Sequence, residues 1–120
     1  MIEHPKAEEL VEAVSKWIDS VRPSLPPRDA FLARVAVNVL GVVQRELALG
    51  PAAEANAVRR LRDLLGQEGD FQALNAQLCE AIRSGEMGVE TPGLLAALKA
   101  NITEQIAIDQ PNYVSVRPAT

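Results

Sequence analysis

The sequence predicts an all-α fold: a single-domain bundle of about five helices with an extended C-terminal tail. Three observations point there. Apolar residues recur at spacings of three and four along most of the chain. Glycine and proline gather at the joints between those runs. The only alternating stretch, Tyr113 to Val116, has no partner run to pair with. The apolar fraction is 48% but aromatics are only 3%, so the core has to be built from Leu, Val, Ile and Ala. At 120 residues one domain, residues 1–120, is the expectation, and it buries roughly two-thirds of the surface of its unfolded form.

The first helix is expected from about Pro5 to Val21, on the stripe Ala7, Leu10, Val11, Val14, Trp17, Ile18 and Val21. Pro5 suits a first turn, and Glu8 and Glu9 sit at the positive end of the helix dipole. The segment RPSLPP, with three prolines, stops it. A second helix follows from about Arg28 to Leu49, the most apolar of the chain, and Gly50 is expected to end it in the left-handed conformation. Pro51 then opens a third helix to about Leu65, with Val58, Leu61, Leu64 and Leu65 inward. Gly66 and Gly69 bracket a break. Asp70 caps a fourth helix carrying Phe71, Leu74, Leu78, Cys79 and Ile82, closed by Gly85. Thr91 and Pro92 open a fifth, with Leu94, Leu95, Leu98, Ile102 and Ile106, and Pro111 closes it.

Composition excludes several function classes. A net charge of -4 offers no basic face for duplex phosphates, and few aromatics are available to stack on single strands, so no nucleic-acid partner is expected. The most apolar run, Phe31 to Val43, is interrupted by Arg34 and Asn38 and falls short of the ~20 residues a membrane span needs. MIEHPKAEEL lacks the apolar core of a secretory signal. The single Cys79 forbids an intrachain disulfide and fits a cytoplasmic setting.

Catalytic motifs are missing: no HExxH, CxxC, phosphate-binding loop, GxSxG or GxGxxG is present. One His and one Cys cannot assemble a soft metal site. No catalytic, cofactor-binding or metal residue is therefore assigned, and the chain is expected not to be an enzyme. His4 reads as a surface residue beside a proline, and Cys79 as a small core residue. Arg59, Arg60 and Arg62 read as a solvated face with Asp63 four residues after Arg59, the alternative being a phosphate or acidic-partner site.

Two features are less ordinary. On the second helix Arg34, Asn38, Gly41 and Arg45 follow spacings of four, three and four, one polar stripe on an apolar cylinder. Either the arginines meet carboxylates such as Glu46, Glu80 or Asp109, or the stripe is a docking face with Arg anchors. The tail motif IDQPNY places Asp109, Asn112 and Tyr113 around Pro111. It reads as a helix stop with Tyr113 folded back over the bundle end, or as a contact surface.

The runs HPKAEELVEAVSKWI, ARVAVNVLGVVQRELALGP, LNAQLCEAIRSGEM and ITEQIAIDQPNY together resemble a bacterial family of small helical proteins of unknown function. The second run, with Arg34, Asn38, Arg45 and Glu46, carries most of the likeness. Members of that family are encoded beside kinase-like proteins of the aminoglycoside-phosphotransferase type. The small accessory subunit of the hydroxyacyl-CoA kinase of levulinate breakdown is similar. The resemblance implies a non-catalytic accessory subunit supporting a kinase that acts on hydroxyacyl-CoA substrates. Arg34, Asn38, Arg45, Asp109 and Tyr113 then become the candidate interaction residues, with no role transferred to any of them. The alternative is a stand-alone acyl or acyl-CoA binding module, with a slot between the second and fifth helices and Arg34 or Arg45 on the anionic end. Under either reading a homo-oligomer remains open, with surplus apolar positions on the first and fifth helices to supply the patch.

Overall fold

The computed structural model describes residues 5–113. His4 and, of the expected extended tail 113–120, all but Tyr113 lie outside the described residues. Among those described, every regular element is helical, in the order α1 (Ala7–Val21), a 3-10 turn (Arg22–Ser24), α2 (Pro27–Leu65), α3 (Phe71–Ser84) and α4 (Leu94–Asp109).

The fold class is therefore all-α, with four α-helices where five were expected. The correction falls at Gly50–Pro51. Gly50 does not adopt a left-handed φ, and α2 runs through Pro51 in its interior. Pro51 removes one backbone donor, and proline normally pushes its predecessor out of the α region by colliding with that residue's Cβ. A glycine has no Cβ, so Gly50 can stay helical. The carbonyl of Leu47 that loses its donor is on a partly exposed turn, where water can reach it.

Other joints behave as their residues suggest. Asp70 caps α3, its carboxylate accepting a hydrogen bond from the Ala73 backbone N–H at 2.8 Å. Gly85 ends α3 at φ 86, a conformation that favours a residue without Cβ. The start of the last helix is later than expected. Thr91 does not cap it; its hydroxyl accepts from the Gly88 N–H instead, and Gly93 at φ 83 delays the helix to Leu94. Likewise α1 starts at Ala7 rather than Pro5, behind a Lys6 cap with no side-chain hydrogen bond.

Two compact units divide the chain. The first holds 5–50 and Ile108–Gln110, hence α1, the N-terminal part of α2 and the last residues of α4. The second holds Pro51–Ala107 and 111–113, hence the C-terminal part of α2, α3 and most of α4. The second unit has the conventional core: Leu61, Leu74, Leu78 and Leu94 are buried, with Val58, Leu64, Leu65, Phe71, Met87 and Leu98 packed around them. On α3 the buried stripe is Leu74, Leu78 and Ala81. Cys79 and Ile82, each one position round the helix from that stripe, are exposed, which corrects the expectation that both are core.

Candidate interaction surface

In the first unit the helices turn the wrong side chains outward for a self-contained bundle. Along α1 the half-buried positions are Glu8, Val11, Glu12, Ser15, Ile18 and Val21, whereas Leu10, Val14 and Trp17 are exposed. Those three follow an i, i+4, i+7 row on one face. Trp17 is 65% exposed. Along the first part of α2 the half-buried positions are Ala30, Ala33, Ala36, Val37, Leu40, Gly41, Val42, Gln44 and Arg45, several of them small. Phe31, Leu32, Val35, Val39 and Val43 point the other way, and Phe31 is also 65% exposed. Gln44 Nε2 donates to Glu12 Oε2 at 3.3 Å, so α2 returns past α1 after the proline-rich turn. Glu12 is held below the usual carboxylate range by its hydrogen bond and charge contact with Lys16, which outweigh the slight burial pushing it up.

The polar stripe on α2 divides into two parts. Arg34 and Asn38 are exposed and have no hydrogen bond or ion pair among the described residues. Arg45 is half-buried, and its Nε donates to the Ile108 backbone carbonyl at 2.7 Å. That carbonyl lies in the last turn of α4, where a helix has no donor of its own to offer and where its dipole favours a cation. Arg45 therefore serves as a C-terminal cap for α4. It meets a backbone oxygen, not one of the carboxylates expected for it. Gly41 clears its path: a Cβ there would stand 3.2 Å from Arg45 Nη1.

The same hydrogen bond brings one end of the IDQPNY motif to the stripe, because Asp109 directly follows Ile108 and both belong to the first unit. Tyr113, in the second unit, is 52% exposed. The structure thus joins Arg45 to the Ile108–Asp109 turn and leaves Arg34, Asn38 and Tyr113 on the surface.

The arginine cluster of the second unit is only partly the solvated face that its spacing suggests. Arg60 donates to Asn101 Oδ1 at 2.9 Å and forms an ion pair with Glu104, while Asn56 donates to the other oxygen of Glu104 at 3.1 Å. Burial pushes the Glu104 carboxyl up, but the hydrogen bonds from Asn56 and Arg60 and the charges of Arg60 and Arg59 hold it below the usual range. Arg59 itself contacts Asn56, and the partner of Asp63 is Arg62, not Arg59. An open cleft of about 430 Å³ beside this network is lined by Arg60, Asp63, Leu64, Gly93 and Ala97. Its cation is already committed to Glu104, and Asp63 adds negative charge at the rim.

Among the described residues, no three His, Cys, Asp or Glu side chains are grouped to hold a metal ion. Among the described residues, no helix is long and apolar enough to cross a membrane. Leu10, Val14 and Trp17 belong to the first-helix stripe whose surplus was left open as a homo-oligomer patch, and the exposed residues that sequence reasoning did not single out are Leu32, Val35 and Val39 on α2. The available signal was the width of the apolar zone on the second helix, more than one neighbouring helix can cover.

The sequence profile of one family, a domain of unknown function (DUF6285), matches residues 23–113. No curated protein and no solved structure matches the chain.

Proposed function

The chain belongs to the DUF6285 family, and on that premise we propose that it is a non-catalytic accessory subunit that docks on a larger enzyme. The observation supporting this reading is the outward row Leu10, Val14 and Trp17 on α1. A tryptophan 65% exposed at the end of an apolar row is the type of side chain that anchors a protein interface. Arg34, unpaired on α2, adds a cation for a carboxylate on the partner. The resemblance of ARVAVNVLGVVQRELALGP and IDQPNY suggests the partner's class, a kinase of the aminoglycoside-phosphotransferase type acting on the hydroxyl of a hydroxyacyl-CoA. In that division of labour the phosphate cradle, the metal-binding carboxylates and the base belong to the larger chain.

The test is co-expression with a kinase of that class from the same genome. The two chains are expected to co-purify, and the kinase turnover to change when the small chain is added. Trp17→Ala should weaken the complex roughly 30-fold, the scale of an interface anchor, without loss of helicity. Absence of both a complex and any change in turnover removes the proposal. A thermal shift with acyl-CoAs on the small chain alone separates it from the acyl-binding alternative, because only that alternative predicts stabilisation without a partner.

A further inference from the structure

The outward row of α2 has a pattern that the docking proposal for α1 does not use. Arg28, Leu32, Val35, Val39, Val42 and Glu46 follow spacings of four, three, four, three and four. That is the period of a helix-pairing seam, in which apolar knobs recur every three and four residues. Leu32, Val35 and Val39 are exposed, Val42 is half-buried, and all six positions lie in the first unit. The spacing also reads the same in both directions. An antiparallel helix with the identical sequence can therefore meet this one layer for layer about a two-fold axis near residue 37.

We infer that this face of α2 binds a second copy of the chain, with the two α2 segments antiparallel. Leu32 then faces Val42 of the second copy, Val35 faces its Val39, and symmetry repeats both layers. The charges decide the direction. Arg28 and Glu46 are both exposed and unpaired among the described residues. In the antiparallel pair Arg28 faces Glu46 of the other copy at each end of the seam, two opposite-charge contacts closing an apolar centre. In a parallel pair Arg28 would face Arg28 and Glu46 would face Glu46, which repel. Asn38, exposed and unbonded, lies one residue from the axis on the edge of the seam. There its amide would approach its own copy, and an amide can both donate and accept.

Size sets the strength. Arg28 to Glu46 spans about 27 Å of helix at ~1.5 Å per residue. One helix face of that length falls below the ~800 Å² per partner of a standard stable interface. The dimer is therefore expected to be reversible, with a micromolar dissociation constant. It leaves the row Leu10, Val14 and Trp17 free, so it neither needs nor forbids the larger partner.

Sedimentation equilibrium of the full chain, without any partner, tests this. The wild type should show a monomer–dimer equilibrium across micromolar concentrations. Arg28→Glu and Glu46→Arg should each weaken it about tenfold or more, since each reversal creates two like-charge contacts per dimer. The double variant Arg28→Glu/Glu46→Arg should restore dimerisation, and Val39→Asp should abolish it with the circular dichroism of the helices unchanged. A wild type that stays monomeric up to hundreds of micromolar overturns the inference. So does a dimer that tolerates both single reversals, or one that the double reversal fails to restore.

Discussion

The two units draw on the same side chains and put them to opposite use. In the second unit Leu61, Leu74, Leu78 and Leu94 are buried almost completely. In the first, Leu10, Val14, Leu32, Val35 and Val39 follow equally regular helical rows and stay exposed, and Ile108 is the buried large side chain. Amphipathicity does not separate them, because α1 carries as clear an apolar row as α3. What separates them is how many helices meet. The C-terminal part of α2, α3 and α4 surround one another, so each apolar stripe finds cover from two sides. In the first unit α1 and α2 have chiefly each other. Their half-buried positions mix polar, small and apolar side chains, Val11, Glu12, Ser15 and Ile18 on α1 and Ala30, Ala33, Val37, Leu40 and Gln44 on α2, and Gln44 donates to Glu12. An apolar stripe of ~100° or more cannot be enclosed by one neighbour. The lesson is that a regular stripe reports that a helix has something to bury, and leaves open whether the partner is in the same chain.

The comparison predicts its largest contrast in the second unit. Leu74 is fully buried at the centre of that core. Leu74→Ala should destabilise the chain by about 2–5 kcal/mol, from lost transfer energy plus the cavity left behind. Urea unfolding followed by circular dichroism measures it. A cost under 1 kcal/mol would mean that the core of the second unit is not what holds it together.

An intermediate effect is expected from the polar contact between α2 and α4. Asn56 and Arg60 are four residues apart on α2, and Asn101 and Glu104 three apart on α4. Asn56 meets Glu104 while Arg60 meets both Asn101 and Glu104, which aligns the two helices antiparallel. Because the Glu104 carboxyl is held below its ordinary range in the folded chain, the unfolded chain binds the proton more readily. The stability contributed by Glu104 is thus fully present above the unfolded carboxylate value, near pH ~4.3, and is lost as pH falls through the lower folded value. Glu104→Gln should cost about 1 kcal/mol or less at neutral pH, and the difference from wild type should shrink on acidification from about pH 5 to about pH 3. A difference independent of pH would mean that the carboxylate charge contributes nothing there.

How much of this was legible beforehand follows from the range of each interaction. Caps and stops are local, so Asp70, Gly66 and Gly85 could be read directly. The helix junction at Gly50–Pro51 was misread because glycine and proline carry opposite instructions. A left-handed glycine ends a helix, but a helical glycine removes the Cβ that would collide with the proline, and only the surrounding structure selects between them. Arg45 could be singled out as a polar group on an apolar helix. Its acceptor could not, because a carbonyl 63 residues away leaves no trace in residue type. Cys79 and Ile82 were lost to a rotation of one position, since an i, i+4 pattern with apolar residues on both flanks does not fix which edge faces inward.

The smallest expected effect sharpens the comparison most. Leu10 and Val14 look from spacing like core residues, and Leu→Ala or Val→Ser in a core costs kilocalories. On an exposed row the same change removes little buried area, so Val14→Ser should alter the unfolding free energy of the isolated chain by no more than ~0.5 kcal/mol. The measurement belongs at low protein concentration, so that self-association does not add to the folded state by mass action. Equal costs for Val14→Ser and Leu74→Ala would show that the first unit encloses a core of its own, and the outward row would cease to be a surface. A near-zero cost at Val14 beside a large one at Leu74 would instead separate what the two units spend their apolar side chains on. The second unit's leucines would then act in folding this chain, while the outward side chains of α1 would contribute nothing to its folding.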